Sequence, residues 1–476
     1  MRKTLSAAAV AAAIAGVACA RDARGAGMFV SERGVRPLGR GGAFVAGADD
    51  LGAIWYNPAG IVDAPSGILA DASWVDYSID YTRRSLVTSA TGTTFVEPFP
   101  QVHGTTPFLP IPTIAGSYRF GDRHQYAVAL GVYAPYAALL DYPERISSGP
   151  APQRYSLVSL NGSILSVIGA WFAYEPMEQV RLGVGVQMMT GFLQTTVDFS
   201  ACPPDNLLCA GEAPDYDAFS RVKAGPIFAP SANAGVTVVP VKAVRVGVSG
   251  QAPFVVDTPA TVDVRLPNAV EFDNATQQGN RAHLHMELPP VLRAGVEVRP
   301  HRGEDDVRVE FAYVREFWSV QKSIDITPED IRLYGILGFP SPFAVSPISL
   351  PRGMQDSNSF RLGGEFKYEL LGLTNIARVG VAYETSALPE PYVSPFTADA
   401  SKVVASIGGS IVVDKHLRLD GVVSHAFASD VTVTPNEAAV PRINPVQGNP
   451  TQTATVNGGT YGTSLWVIGV GLEYRL

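Results

Sequence analysis

Cysteine, charge and long apolar runs are all scarce in this chain, and each scarcity removes a class of protein. Only three of the 476 residues are cysteine, too few for a disulfide-built scaffold. Charged residues make up 17% and the net charge is -8, so there is no basic footprint for nucleic acid. No interior stretch reaches the roughly 18 consecutive apolar residues that a spanning helix needs. Entry into a membrane therefore requires a closed barrel, because lipid offers no partner to an open strand edge. Catalytic patterns are missing too. There is no Gly-x-Ser-x-Gly elbow, and Gly39-Arg40-Gly41-Gly42 lacks the spacing of a phosphate loop. His283 and His285 alternate beside Glu287 on a strand, which reads as a polar strand face in the absence of further ligands. Neither an enzyme nor a cofactor is expected.

What the chain has in quantity is glycine (46), proline (37) and hydrophobic residues (46%), a profile of many strands joined by turn-rich loops. Residues 1–20 read as a secretory signal. Arg2 and Lys3 precede an alanine-rich apolar core, and Ala18-Cys19-Ala20 supplies a small-x-small cleavage site. Cutting as late as residue 26 is the alternative. Cys19 raises a lipoprotein reading, against which Gly16 stands where a bulky aliphatic residue is wanted. In an exported chain Cys202 and Cys209, set among Pro203, Pro204 and Asp205, are a candidate loop disulfide.

The rest of the chain alternates with period two. Near the C-terminus Trp466, Ile468, Val470, Leu472, Tyr474 and Leu476 share one face, opposed by Val467, Gly469, Gly471, Glu473 and Arg475. A wholly apolar face with aromatics towards both ends is what a lipid-facing strand presents. Residues 181–192, 360–370 and 377–384 repeat the pattern with Arg, Gly, Gln and Glu at the alternate places, which predicts an interior tolerant of charge. Roughly fourteen such segments start near Gly67, Pro112, Gln125, Tyr155, Gln179, Val222, Lys242, His283, Asp306, Asn358, Asn375, Lys402, His416 and Gly462. Their connections alternate short and long, as periplasmic turns and outer loops do. The expected fold is all-β: a transmembrane antiparallel barrel of about fourteen strands over residues 65–476, both ends periplasmic.

Residues 34–60 break the alternation. They are glycine-rich, and Asp49 and Asp50 are placed to cap a short helix through Leu51, Ile54 and Trp55 that Asn57-Pro58 ends. The runs Leu38-Gly39-Arg40-Gly41-Gly42-Ala43-Phe44, Ala46-Gly47-Ala48-Asp49-Asp50 and Trp55-Tyr56-Asn57-Pro58-Ala59-Gly60 resemble the N-terminal hatch of the FadL/TodX family. Members of that family are outer-membrane transporters of long-chain fatty acids and other hydrophobic compounds. Gly131-Val132-Tyr133-Ala134-Pro135-Tyr136 resembles the family's third strand, and 288–296 and 309–318 a later hairpin. The terminal aromatic-x-apolar ending is similar to the signal read by the barrel-assembly machinery, with Leu476 in place of the usual Phe.

The resemblance implies passive uptake in the bacterial outer membrane, among its lipids and lipopolysaccharide, with residues 21–64 as a plug in the lumen. It gives Asn57, Pro58 and Ala59 the gating role, and a kink at Gly131 and Pro135 a lateral exit. Phe44, Ile54, Trp55 and Tyr56 are candidates to face the ligand path. Arg181, Arg245, Arg293, Arg361 and Arg378 have inward parity, and any of them can anchor a carboxylate or join lumen ion pairs with Glu297, Glu310, Glu365, Glu369 and Glu384. Residues 333–350, apolar but broken by Pro and Gly, are either a capture surface or a loop folded over the barrel mouth. Phe95, Phe99, Phe108 and Leu109 share that ambiguity. The cargo readings are a fatty acid or an aromatic hydrocarbon; a barrel with lipase or adhesin activity is the reading from another class.

Overall fold

A computed structural model describes residues 32–88, 92–134, 139–202, 213–300, 307–444 and 454–476. The signal segment, Pro135 and Cys209 lie outside them; Cys202 is disulfide-bonded. The described strands follow one another antiparallel around a closed wall of fourteen. They are β1 (Gly67–Thr88), β2 (Pro110–Phe120), β3 (Tyr126–Tyr133), β4 (Ile164–Met177), β5 (Val180–Ser200) and β6 (Asp217–Val241). Next come β7 (Val244–Gln251 and Phe254–Arg265), β8 (Arg281–Leu288 and Val291–Val298), β9 (Val307–Glu316 and Ser323–Pro328) and β10 (Ile348–Pro351 and Ser357–Leu370). The wall ends with β11 (Leu373–Glu384), β12 (Lys402–Val412), β13 (Leu417–Ala428) and β14 (Gly459–Arg475). The last strand closes on the first, with Gly67 opposite Arg475 and Arg83 opposite Gly459. Closure satisfies every edge, the condition lipid imposes.

The outward set of β14 is exposed from Trp466 to Leu476, and the same holds for Leu182, Val184 and Val186 on β5 and for Phe360, Leu362 and Phe366 on β10. Such a surface would aggregate in water; around a barrel it is the lipid band. Stacked rings mark its short-turn rim, where Tyr126 lies 5.4 Å from Phe120 and 4.9 Å from Tyr174. Two of the connections on that side are the turn 121–125 and Leu371-Gly372, where Leu371 and Gly372 both have positive φ (57° and 76°).

Strand starts fall within a few residues of the sequence reading, except that β10 has an upper part from Ile348 ahead of the start expected near Asn358, and one strand is displaced. The strand expected near Tyr155 begins at Ile164. Residues 154–160 are an outer loop laid along β5, with Val158 and Ser159 donating to the Thr196 carbonyl. Arg154 and Tyr155 both bind Asp217, and that pairing pulls the segment out of the wall.

Candidate functional site

Residues 33–64 fill the short-turn end of the lumen, and their local chemistry explains why they are not strand. A five-residue helix, Val35–Gly39, leads into Gly41 and Gly42, whose φ values of 62° and 73° suit glycine alone. A second short helix, Ala53–Tyr56, starts without a side-chain cap. Of the two capping candidates Asp50 caps the turn that leads into it, accepting from the Gly52 amide with its carboxylate and from the Ala53 amide with its carbonyl, while Asp49 pairs instead with Arg36 (2.8 Å) and with Arg308 of the wall (2.9 Å). Burial alone would raise the Asp49 carboxyl, but Arg308, Arg36 and Arg299 hold it well below the carboxylate range. Asn57 ends that helix and caps the next turn, Pro58–Val62, by accepting from the Ala59 amide. Its amide nitrogen donates to the Val45 carbonyl (2.8 Å) and to Thr237 of β6 (2.9 Å). The Asn57-Pro58-Ala59 turn is thus bonded both to the plug and to the wall.

The strongest seat is Glu310 on β9. Its carboxylate accepts from the amides of Val45 (2.6 Å), Ala46 (2.9 Å) and Gly47 (2.9 Å), and Arg40 lies 3.1 Å away. Glu297 on β8 binds Arg40 at 2.8 Å and Arg308 at 3.1 Å. Glu365 on β10 takes Arg36 at 2.8 Å, and Arg418 on β13 reaches Asp50 at 3.2 Å. Charges from at least four strands therefore clamp the plug, each compensated inside a site that water barely reaches.

This network uses most of the inward arginines. Arg181 pairs with Asp63 and Glu175, Arg245 with Asp63, Arg361 with Glu32 and Glu384, and Arg378 with Glu365 and Asp420. As candidate ligand anchors these four are corrected: their charge is already met by carboxylates of the wall and plug. Arg293 differs. Its guanidinium sits over the Trp55 ring, 4.7 Å from the centroid. Phe44, Ile54, Trp55 and Tyr56 are fully buried among one another and the wall, and none lines the large cavity. Gly131 is corrected as well. It pairs with Ala115 on one side and Gly169 on the other, so it makes no kink. Its missing side chain makes room for Ile54.

Above the plug the lumen changes character. A cavity of about 340 Å³ opens there, within the range of small-molecule sites. Val222, Val256, Leu284, Met286, Ile324 and Ile326 line it together with Met189 and Trp318. Leu109 of the first long loop and Ile348 and Leu350 of the 333–350 segment join it. The rest of that segment does not: Leu333, Ile336, Phe339 and Phe343 pack with Ala201, Phe272 and Tyr216 in a separate loop core. Residues at 333–350 therefore divide between the cavity lining and a separate loop core.

Among the described residues one cation lines this cavity, and the sequence gives no sign of it. Arg352 follows the upper part of β10; it is 3% exposed, lies 4.2 Å from the Phe396 ring centroid and donates to Thr397 (3.3 Å). Its Nε has no partner, and no carboxylate oxygen lies within 4.0 Å among the described residues. Burial pulls its pKa below the ordinary arginine value, as expected of a cation left without a compensating anion. Parity identifies inward side chains only within regular strands, and Arg352 sits in a loop where parity has no meaning.

The same cavity reaches the wall beside β3. Pro110, Ile111 and Pro112 of β2, Ala134 after β3, and Ile164 and Leu165 of β4 all line it. The described pairing of β2 with β3 runs to Thr113 opposite Tyr133, and the Ala134 amide donates to the Pro112 carbonyl (3.3 Å); Pro110 and Pro112 themselves carry no N–H for the ladder. Ile164 and Leu109 are also exposed.

The roof loop that carries Phe396 is fastened by Asp399, which accepts from Ser386 Oγ (2.9 Å) and the Ala387 amide (2.8 Å). Burial pushes its carboxyl from 3.8 up to about 7. The folded loop then retains a proton that the open loop releases, so the clasp is strongest below pH 3.8 and weakens as pH rises to about 7. Hydrogen exchange at Ala387, corrected for intrinsic rates, is expected to show this slope in the native chain and to lose it in Asp399→Asn. Equal slopes in both would refute the assignment.

A closed barrel with a charge-clamped plug, a lipid-facing band and an apolar cavity defines an integral outer-membrane channel for hydrophobic compounds. The chain belongs to the OMPP1/FadL/TodX family of outer membrane transport proteins, whose model matches residues 16–465. No curated protein matches it. Among solved structures, a FadL homologue of Pseudomonas aeruginosa aligns at 16% identity over 94% of this chain and 99% of its own, with a TM-score of 0.68. The toluene transporter TodX of P. putida aligns at 13% identity with the same coverages and a TM-score of 0.61. For the Ralstonia pickettii toluene transporter TbuX the values are 16% and 0.56, again over 94% and 99%. At these identities the likeness is one of fold. Members of the family are transport channels rather than enzymes.

Proposed function

We propose that this channel takes up long-chain fatty acids or similar apolar carboxylates, and that Arg352 receives the carboxylate while the cavity holds the chain. The observation that carries this is a buried arginine, without a carboxylate partner among the described residues, in a mainly apolar chamber. A neutral hydrocarbon has no use for it; a fatty acid completes its charge with a charge-assisted hydrogen bond. Exit is sideways. The cavity touches both the interior and the lipid-exposed face between β2 and β4, whereas the clamped plug, fixed by the Asn57-Pro58-Ala59 turn, closes the lumen below. No water-filled path is then required of the cargo.

The test is equilibrium binding of oleate and of oleyl alcohol to the protein in lipid nanodiscs. Arg352→Met is expected to weaken oleate binding by about tenfold or more, since a hydrogen bond to a charged group is worth about 1.5–3 kcal/mol. Alcohol binding should stay within about twofold. Equal losses for the two ligands, or none for oleate, would remove the carboxylate and leave a channel for neutral compounds.

A further inference from the structure

We propose that the short-turn mouth of the barrel binds a soluble multivalent oxyanion of the phosphate class, held between the underside of the plug and the wall. A chamber of about 520 Å³ lies there, within the size range of small-molecule sites. It shares no lining residue with the cargo cavity. Among the described residues six cations line it: Arg36 of the plug, Arg119 of β2, Arg308 of β9, Lys367 of β10, Arg418 of β13 and Arg475 of β14. Against them stand three carboxylates, Asp49, Asp63 and Glu365.

Those carboxylates are already divided among several arginines. Asp63 serves Arg181 and Arg245, Asp49 serves Arg36, Arg299 and Arg308, and Glu365 serves Arg36, Arg308 and Arg378. Behind the chamber Glu473 is split between Arg418 (2.8 Å) and Arg475 (2.5 Å). Two cations are left over. The Arg119 guanidinium donates to the His124 carbonyl (3.1 and 3.3 Å) and Lys367 is exposed. Neither has a carboxylate oxygen within 4.0 Å among the described residues. Positive charge therefore faces the chamber without an acid to meet it.

The composition of the lining selects the ligand. With Pro65, Ile376 and Val412 as its apolar part, the chamber gives no seat to a cargo tail. Guanidinium forks bind oxyanions through paired hydrogen bonds, and a lysine adds a point charge. Rings of Arg and Lys serve anions and phosphates in the same way in other pores. Because Arg36 belongs to the plug and Arg308 and Arg418 to the wall, an oxyanion among them joins the two. Its binding should fasten the plug.

The experiment is titration of the full chain with inorganic pyrophosphate, in nanodiscs of phosphatidylcholine that supply no anionic lipid, with chloride at matched ionic strength as reference. Calorimetry gives the affinity, and limited proteolysis of residues 33–64 gives the state of the plug. The native chain should bind pyrophosphate saturably, one per barrel, and proteolysis should slow several-fold relative to chloride. Arg119→Gln with Lys367→Gln should weaken binding about tenfold or more; neither substitution leaves a carboxylate without its partner. Lys367→Gln alone, at an exposed position, should lose several-fold and serves if the double variant does not fold. Lys242→Gln removes a cation of a short turn outside the chamber and should match the native chain. A response of the native chain no greater than that to chloride overturns the proposal. So does unchanged affinity in whichever chamber variant folds, or an equal loss in Lys242→Gln.

Discussion

Replacing Glu310 with alanine is expected to unseat the plug while leaving the barrel standing. One carboxylate answers three backbone amides and the Arg40 guanidinium. Its removal strands all four in a space from which water is excluded. Breaking a buried pair by deleting one partner costs about 3–5 kcal/mol, and each orphaned amide adds about 1–3 kcal/mol if nothing replaces the acceptor. The wall loses nothing comparable, because Glu310 pairs with its neighbours through backbone atoms that alanine keeps. The expected result is native strand content by circular dichroism together with rapid proteolysis within residues 33–64. Glu310→Gln should fall between the two. Its carbonyl can still serve Val45 and Ala46, but its NH₂ group turns a donor towards Gly47 and Arg40. A plug as protected in Glu310→Ala as in the native chain would show that the charges around Glu310 do not hold it.

The second large effect is steric. A Cβ at Gly183 of β5 would fall on the Pro58 carbonyl carbon and the Ala59 amide nitrogen. Neither can retreat easily: the proline ring fixes φ, and Asn57 is tied to Val45 and Thr237. Gly183→Val therefore has to push the whole turn off the wall. Overpacking costs about 1–3 kcal/mol when the neighbours can adjust, and this backbone contact should exceed that range. Lower thermal stability and proteolysis of residues 33–64 are the readouts. Gly421 of β13 supplies the control, because a Cβ there meets nothing within 4 Å; Gly421→Ala should behave as the native chain. Similar losses for both variants would mean that glycine in the wall serves strand geometry rather than plug contact.

The barrel was legible because strand parity is a local property. Trp466 to Leu476 and Leu182 to Phe192 show their lipid face in the order of residues, and the structure exposes those residues. The one misplaced strand, near Tyr155, failed where a loop contact to Asp217 outweighed local pattern. Parity also identified the inward arginines, but not what they face. Arg361 and Arg378 look alike in sequence to Arg293, and only the partners brought by other strands and by the plug separate two paired cations from an unpaired one. Arg352 carried no signal at all, since its meaning arises from the apolar walls that Met189, Val222 and Leu284 contribute from three different strands.

Sequence alone thus determined that this chain is an antiparallel barrel of the outer membrane, because alternation and turn chemistry act over a few residues at a time. Which cations find a carboxylate partner among the described residues, where the cavity lies, and what holds Asn57-Pro58-Ala59 were decided only when the wall closed. Closure brings together residues hundreds of positions apart, such as Arg40 with Glu310, and the balance of charge in a buried site is a sum over all of them.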